Sequence, residues 1–258
     1  HGDSASVGEN DGAITIDARA LQPGELVRLT LVTAQPAEGV RATALGREWP
    51  AHRVDPLTWE ALVGLDLDVA IRAHEVVFEI RRQGQVERVT ASLGVRAKTF
   101  GTRRLTVDSA FVDPPARERA RIEREATEIA RLWADSAGER LWTGPFVAPV
   151  PHKANSAFGS QSVFNGQARR PHGGADFLSP AGTPVRAPNG GRVRLARDLY
   201  YTGGTVVIDH GLGLVSLFAH LQAIDVEAGQ VVKAGDVVGR VGATGRVTGA
   251  HLHWRERS

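Results

Sequence analysis

Two histidine motifs in the last third of the chain have residue types and spacings that suit a metal ion. The first is His172 followed four positions later by Asp176, and the second is the pair His251 and His253. His220 lies between the two motifs. Zinc accepts imidazole nitrogen and carboxylate oxygen, and a catalytic zinc site combines three protein ligands with an open position for water. The sequence therefore predicts a zinc site built from these residues.

Extended backbone would bring the side chains of both motifs together. The proline before His172 and the two glycines after it disfavour a helix, and they predict a turn that leads into an extended segment at 175–178. On a strand, side chains two positions apart share one face, so His251 and His253 would project together while Leu252 faces the core. Spacing alone leaves open which histidine of this pair binds the metal.

The residues in and around these motifs resemble the lysostaphin/LytM-type zinc metallopeptidases, which cut peptide bonds in bacterial cell-wall peptidoglycan. The resemblance extends well beyond the histidines, although Ala175 stands where a larger apolar residue is usual. The matching segments are 158–159, 164–167, 171–177, 181–188, 190–193, 206–211, 216–221, 237–239, 242–245 and 249–254. The resemblance implies a LytM-type antiparallel β-sheet peptidase domain that binds Zn²⁺ and acts on peptidoglycan stem peptides.

The resemblance also implies roles for the site residues. It makes His172, Asp176 and His253 the metal ligands. It makes His220 and His251 the catalytic pair, of which one would take a proton from water and the other would stabilise the oxyanion. The H-E-x-x-H motif, which supplies a glutamate base in other zinc peptidases, is absent, so a histidine is expected to be the base. Which of the two it is stays open.

Other polar residues near the motifs are weaker candidates. Asn155, Arg169 and Tyr201 are expected to contact the substrate, with ordinary loop chemistry as the alternative. Arg169, Arg170 or Arg246 could bind a substrate carboxylate through a forked pair of N–H donors, with an ordinary solvated surface as the alternative. His210 is expected to be a structural residue at the end of a strand.

The substrate and the enzymatic class each have an alternative. The family typically cuts glycyl bonds in pentaglycine bridges or D-alanyl bonds in direct cross-links, and we favour the second, a D,D-endopeptidase. A catalytically silent LytM module that binds peptidoglycan or activates other wall hydrolases is the alternative, but such modules usually lose metal ligands. A biotinyl- or lipoyl-type carrier is a further alternative because residues 226–239 have two similar halves, but Lys233 is not at the tip of the expected turn.

Residues 1–112 are predicted to form an immunoglobulin-like β domain. Apolar alternation at 13–16, 26–31, 75–80 and 85–89 is typical of strands, and Gln83-Gly84 is typical of a hairpin turn. Several short strands at this spacing favour a small antiparallel sandwich. The segment resembles the immunoglobulin-like domain that precedes the peptidase in some envelope members of the family. It could position the peptidase, cover its groove or contact an envelope protein partner.

Residues 113–136 are predicted to form a linker helix between this domain and the peptidase domain at 137–258. Asp113 can cap the helix and Gly138 follows its end. We expect the helix to pack on a domain, with binding of a partner as the alternative. The predicted fold class is therefore mainly β. The apolar stripe of the helix comprises Ile122, Ala126, Ile129, Leu132 and Trp133.

Composition excludes several classes of site and partner. The chain has no cysteine, which excludes a thiolate zinc site and a cysteine nucleophile. The net charge is only +2 and both signs are interspersed, so no nucleic-acid partner is indicated. No apolar window reaches the roughly 18 residues of a membrane span. Because methionine is absent, we expect a processed or trimmed chain. Removal of an export signal would fit a periplasmic or extracellular protein, and a cloned fragment is the alternative.

Overall fold

The second half of the chain and the first half form separate compact units in the computed structural model. The first unit runs to Thr99 and includes Gly138–Arg140, and the second comprises Phe100–Ala137 and Leu141–Arg257. The domain limits expected from the sequence, 1–112, 113–136 and 137–258, stay predictions. The compact units divide after Thr99, and the helical segment belongs to the second unit. The structure describes residues 3–9, 12–105, 114–155, 158–164, 166–168 and 171–257.

The first unit is a sandwich of two antiparallel sheets around one core. One sheet has the order β1-β2-β3-β7-β6 and the other β5-β4-β8-β9. The strands are β1 (Asp3–Glu9), β2 (Gly12–Ala18), β3 (Leu26–Thr33), β4 (Gly39–Ala44), β5 (Arg47–Trp49), β6 (Ala51–Arg53), β7 (Thr58–Gly64), β8 (Ala73–Arg82) and β9 (Gln85–Gly94). Apart from β1, this order reproduces the A-B-E-D and C-F-G sheets of immunoglobulin domains, with one added edge strand. The predicted immunoglobulin-like sandwich is therefore confirmed.

Alternating side chains explain why the first unit folds this way. Strands β2 and β8 alternate between buried and more exposed residues, and the buried ones, such as Ile14 and Phe78, meet in the common core. The predicted hairpin is present, since β8 and β9 pair directly on either side of Gln83 and Gly84. These two turn residues have positive φ angles, of 48° and 75°. A two-residue turn of this kind matches the twist of the strands that it joins.

The second unit is built on one large antiparallel sheet. Its order is β13-β20-β17-β16-β15-β18, and β19 pairs with both β14 and β17. Strand β11 pairs with β10 on one side and with β12 on the other, in a separate small sheet. The elements are β10 (Thr102–Leu105), α1 (Arg119–Ala134), β11 (Gln161–Phe164), β12 (Gln167–Ala168), β13 (Ala175–Phe177), β14 (Pro184–Arg186), β15 (Gly191–Leu199), β16 (Gly203–Gly211), β17 (Leu214–Ile224), β18 (Val231–Val232), β19 (Val237–Val241) and β20 (Leu252–Arg257). The chain is thus mainly β, as predicted.

Strand β16 is buried on both faces because two apolar clusters cover the large sheet. Val206 and Ile208 belong to the cluster on one face, while Val207 belongs to the cluster on the other. Ile129 and Trp133 of α1 pack against this second cluster. The helix therefore covers the sheet face to which Val207 points. Among the described residues, no helix is long and apolar enough to cross a membrane.

The face of α1 that meets the sheet agrees with the predicted stripe at Ile129, Leu132 and Trp133 but differs from it one turn earlier. Ala126 is exposed, and Glu125 is the buried residue of the helix. Glu125 accepts a hydrogen bond from the backbone N–H of Tyr200 at 2.8 Å and pairs with Arg121 at 2.7 Å. A polar side chain can occupy this buried position because both partners satisfy it. The predicted cap, Asp113, lies outside the described residues.

The loop that follows α1 is tied to the sheet by one buried carboxylate. Asp209 on β16 is 2% exposed and accepts hydrogen bonds from the Ser136 hydroxyl at 2.6 Å and from Arg194 at 3.2 Å. It also accepts the backbone N–H groups of Ala137 and Gly211, each at 2.8 Å. The carboxylate therefore joins the end of the helical segment to the strand beneath it.

Asp209→Ala should lower the free energy of unfolding by about 3 kcal/mol, because buried donors would lose a charged acceptor. Urea unfolding of the purified protein measures this change. Asp225→Ala is the control, since Asp225 is a more exposed carboxylate whose nearest basic atom, on Arg240, is 3.6 Å away. We expect the control to change the free energy by less than about 0.5 kcal/mol. Equal losses in the two variants would contradict the role given to Asp209.

Candidate metal centre

His172 enters the site on a loop that is hydrogen-bonded on both sides. Its carbonyl accepts the N–H of Gly159 at 2.8 Å, and its N–H donates to Ser160 at 2.9 Å. Gly159 has a φ of 76°, and a Cβ there would lie 2.1 Å from the ring of Phe100. Only glycine fits at position 159, and the lack of a side chain lets the backbone N–H of Gly159 reach the carbonyl of His172. The residues just before β11 thus fix the position of the histidine.

Pairing of β13 with β20 brings Asp176 to His253. The two residues are directly opposite each other across the strands. Asp176 Oδ1 lies 2.9 Å from His253 Nδ1 and 3.1 Å from His172 Nε2. Gly174 is needed for this approach, because a Cβ at that position would lie 2.7 Å from the His253 ring. The turn predicted from the glycines therefore allows close contact between the two motifs.

His220 and His251 lie beside this trio. Their rings are 4.8 Å apart, and the ring of His220 is 6.1 Å from that of His253. Ala219, the residue before His220, pairs with His253 across β17 and β20. His251 Nε2 is 3.8 Å from Asp176 Oδ1. The structure thus brings together all five residues that the sequence singled out as ligands or catalysts.

Backbone carbonyls fix the tautomers of the second pair. His220 Nδ1 is 2.9 Å from the carbonyl oxygen of Thr244, and His251 Nδ1 is 3.0 Å from that of Gly249. A carbonyl oxygen can only accept, so each Nδ1 carries the hydrogen. In the neutral form, the Nε2 atoms of His220 and His251 are then free to accept a proton.

The protonation states of the cluster follow from burial and from contacts within it. Burial raises the pKa of Asp176, but hydrogen bonds and charges from His172 and His253 outweigh this effect and hold the pKa of the carboxyl well below its usual range. Burial is the main cause that lowers the pKa of His253, and it lowers the pKa of His220 to about 4. At neutral pH the carboxylate is ionised and these two imidazoles are neutral, which are the forms that metal binding and base catalysis require.

The first trio fits a zinc ion in donor type and in spacing. His172, Asp176 and His253 offer ligand atoms that all lie within 4.8 Å of one another. Zinc–ligand bonds of roughly 2.0–2.1 Å in a tetrahedron imply donor–donor distances of about 3.3 Å, close to the two distances from Asp176. The Nδ1 atom of His172 is buried and has no hydrogen-bond partner among the described residues. A zinc-bound histidine usually has such a partner, so this histidine departs from the common pattern.

The weaker sequence candidates have different surroundings. The N–H of Asn155 donates to the carbonyl of Asp176 at 2.8 Å, so its backbone borders the site. Tyr201 stacks under the guanidinium of Arg246, whose Cζ atom lies 4.3 Å from the ring centroid. Arg169 and Arg170 lie outside the described residues. His210 is fully buried, and its two ring nitrogens contact the Gly190 carbonyl and the Ser216 hydroxyl.

Thr244 is a site residue to which the sequence analysis gave no role. Its carbonyl accepts the hydrogen bond from His220 described above. The signal in the sequence was its place in the short segment 242–245, between two glycines. That signal indicates a tight turn and does not show which side chain the turn contacts.

Comparisons with known proteins relate the second unit to peptidases of the bacterial wall. The family model that matches residues 170–258 is described as peptidase family M23. The peptidoglycan DD-endopeptidase ShyA of Vibrio cholerae is 46% identical over 84 residues, which are 33% of this chain and 20% of ShyA. The DD-carboxypeptidase/endopeptidase Mpg of Neisseria meningitidis is 43% identical over 88 residues, which are 34% of this chain and 20% of Mpg. The matches therefore span a fifth of the length of these two curated relatives.

One solved structure matches most of the chain. It is a crystal structure from Pseudomonas aeruginosa that is assigned to peptidase M23, with 31% sequence identity and a TM-score of 0.69. The alignment covers 91% of this chain and 89% of that chain. The likeness therefore extends over both compact units as well as the metal-site motifs. On these similarities, the chain belongs to peptidase family M23.

Proposed function

We propose that this protein is a zinc-dependent endopeptidase that hydrolyses peptide cross-links of bacterial peptidoglycan. The observation that carries the proposal is the single cluster in which one carboxylate and four imidazoles meet. His172, Asp176 and His253 supply three donor atoms in one place, and His220 and His251 lie beside them. A peptidase of this kind needs both a metal site and a group that moves protons.

We assign zinc to His172, Asp176 and His253. Two neutral imidazoles and one carboxylate would leave a bound Zn²⁺ with a net charge of about +1. When bound, zinc lowers the pKa of a water molecule and polarises the scissile carbonyl. The strand pairing of β13 with β20 orients Asp176 and His253, and the loop hydrogen bonds orient His172.

His220 and His251 share the proton transfers in this proposal. Each has its Nδ1–H bonded to a backbone carbonyl, so each can take the proton of the attacking water at Nε2. The protonated ring can then donate from the same Nε2 atom to the leaving amine. The other ring, 4.8 Å away, would take a proton from solvent at Nε2 before the reaction and donate it as a hydrogen bond to the oxyanion. Both roles require that the rings remain side by side.

We propose direct D,D cross-links as the bonds that are cut. Support comes from two relatives, one named a peptidoglycan DD-endopeptidase and the other a DD-carboxypeptidase/endopeptidase. Direct cross-links carry carboxylates, which suit a forked guanidinium donor. Arg246 lies near the site. Its backbone N–H donates to the carbonyl of Tyr201, and Thr202, the residue after Tyr201, accepts the backbone N–H of His220. Such a substrate would place the protein in the cell envelope, where the first unit could contact a partner protein or orient the peptidase.

The proposal predicts chelator-sensitive cleavage of purified cross-linked peptidoglycan dimers. Zinc-loaded protein should convert dimers joined by direct D,D bonds to monomers, and removal of zinc should stop the conversion. Mass spectrometry of the released fragments identifies the bond. Dimers joined by pentaglycine bridges are the matched control and should remain intact. Cleavage of glycine bridges alone would overturn the substrate. Binding without cleavage by the zinc-loaded protein would instead support a silent module that binds peptidoglycan.

A further inference from the structure

His220 has a backbone conformation that needs support from its surroundings. Its φ angle is +66°, in the left-handed region that residues with a Cβ rarely adopt, and it is only 8% exposed. The pairing of β16 with β17 is irregular beside it, with a register shift between Gly204 and Val206. Such strain persists where neighbouring groups fix the backbone. The N–H of His220 donates to the carbonyl of Thr202 at 2.7 Å, which supplies one of these contacts.

The hydroxyl of Thr244 contacts both the strand that carries His220, β17, and the neighbouring strand β16. Thr244 Oγ1 donates to the carbonyl of Leu221, the residue after His220, at 2.8 Å. It accepts the N–H of Gly204, the partner of Leu221 on β16, at 2.9 Å. The carbonyl of the same threonine accepts Nδ1–H of His220 at 2.9 Å. One residue therefore holds the backbone after His220, the facing strand and the imidazole ring.

Two glycines make room for this threonine. A Cβ on Gly203 would lie 2.2 Å from Thr244 Oγ1, and a Cβ on Gly245 would lie 2.4 Å from the backbone nitrogen of Gly203. Both glycines also have positive φ angles, of 60° and 74°. The turn that carries Thr244 is thus packed directly against the start of β16, and the threonine cannot move without displacing backbone.

We infer that Thr244 is a positioning residue that holds His220 in its Nδ1–H tautomer and aims its Nε2 atom at the metal centre. The inference rests on the proposed function, since it assumes that His220 Nε2 moves a proton. The carbonyl of Thr244 selects the tautomer, because it can only accept. The hydroxyl holds that carbonyl in place through its bonds to Leu221 and Gly204. Without the hydroxyl, the ring can rotate and the other tautomer becomes available.

Thr244→Val and Thr244→Ser separate the hydroxyl from the shape of the side chain. Valine keeps the branched shape but removes both hydrogen bonds, whereas serine keeps the hydroxyl. We expect Thr244→Val to lower kcat by about ten- to a hundredfold with little change in KM, since small misplacements of a reacting group have effects of this size. Thr244→Ser should recover most of the lost rate. Zinc content should be the same in both variants, because Thr244 contacts no proposed ligand in the described residues.

A spectroscopic measurement tests the inference apart from activity. In ¹⁵N-histidine-labelled protein, the nitrogen shifts of His220 should show Nδ1 protonated and Nε2 unprotonated in the parent. Thr244→Val should shift part of the population to the other tautomer. Ser216→Ala is the control, since it removes a buried hydroxyl from the same strand without touching His220. If Thr244→Val does not fold, Thr244→Ala removes the same two hydrogen bonds and takes its place.

Several outcomes would overturn the inference. One is an unchanged tautomer of His220 in the variant that lacks the hydroxyl, whatever its activity. Another is a loss of activity that follows a loss of zinc, which would make Thr244 a structural residue of the metal site. If the parent protein cleaves no wall substrate with zinc bound, the proposed function fails, but the nitrogen shifts still test how Thr244 holds His220.

Discussion

His172→Ala, Asp176→Ala and His253→Ala should each lose zinc and, with it, cleavage of peptidoglycan dimers. A site with three protein ligands has few contacts, so each ligand carries much of the affinity. Even residues that only orient a metal ligand cost about ten- to a hundredfold in affinity when removed, and loss of a ligand itself should cost more. Elemental analysis of the purified variants after dialysis against a weak chelator measures the loss.

The pKa values of Asp176 and His253 determine how zinc binding depends on pH. Because hydrogen bonds hold the pKa of Asp176 well below its usual range, its carboxylate stays ionised as the pH falls through 4. Burial lowers the pKa of His253, so protons compete with zinc at this ring only at a lower pH than for an exposed histidine.

His152→Ala is the matched control for the three ligand variants and should keep its zinc, since His152 contacts Ser179 at 2.9 Å and is not in the cluster. Full zinc occupancy in the three ligand variants would show that the metal assignment is wrong.

The catalytic pair should separate zinc binding from turnover. His220→Ala and His251→Ala should keep zinc but lower kcat by roughly a hundredfold or more, the usual effect of removing a general base or an oxyanion donor. Burial lowers the pKa of His220 to about 4, so this ring is neutral at and above neutral pH. Protonation of His220 should therefore not reduce kcat until the pH falls below about 5. Steady-state kinetics across pH, with zinc content measured on the same samples, tests both statements.

The two histidines of the second motif provide an internal control. If His251→Ala loses zinc and His253→Ala keeps it, the roles of the two residues are reversed. If neither His220→Ala nor His251→Ala slows cleavage, another group must be the base.

Tyr201→Phe is a further comparison, because Tyr201 lies one residue before Thr202, which accepts the N–H of His220. A larger effect of this variant than of the histidine variants would move the proton transfer to the tyrosine.

The parts of the fold that were predictable from the sequence are those with a local signal. Alternation of apolar residues located β2, β3, β8 and β9, and the Gln83-Gly84 pair located the hairpin between the last two. Strands β5 and β6 have only three residues each, too few for alternation to be visible. The helix was predicted, and Ile129, Leu132 and Trp133 of its predicted stripe pack on the sheet. The burial of Glu125 was not predicted, because it depends on contacts with Tyr200 and Arg121 that helical periodicity does not contain.

The site shows the same division between local and distant signals. The alternation of His251, Leu252 and His253 could be read from their spacing, since Leu252 is fully buried while both rings approach Asp176. The pairing of Asp176 with His253 joins residues 77 positions apart, and only the resemblance to a family predicted it. The bond from His220 to Thr244 spans 24 positions, and neither spacing nor resemblance gave it. Contacts of this kind depend on the register of strands, which composition does not determine.

The packing of α1 on the large sheet determines which stretch of this chain can stand alone as a folded body. The family model begins at residue 170, yet Ile129 and Trp133 of the helix complete the apolar layer around Val207. A fragment that starts at 137 or 170 would leave that layer open to water, and exposed apolar patches promote aggregation. Phe100, which packs against Phe158, lies still earlier. For recombinant fragments and for gene fusions, the transferable peptidase is therefore the stretch from about residue 100 onwards, longer than the stretch that sequence similarity marks.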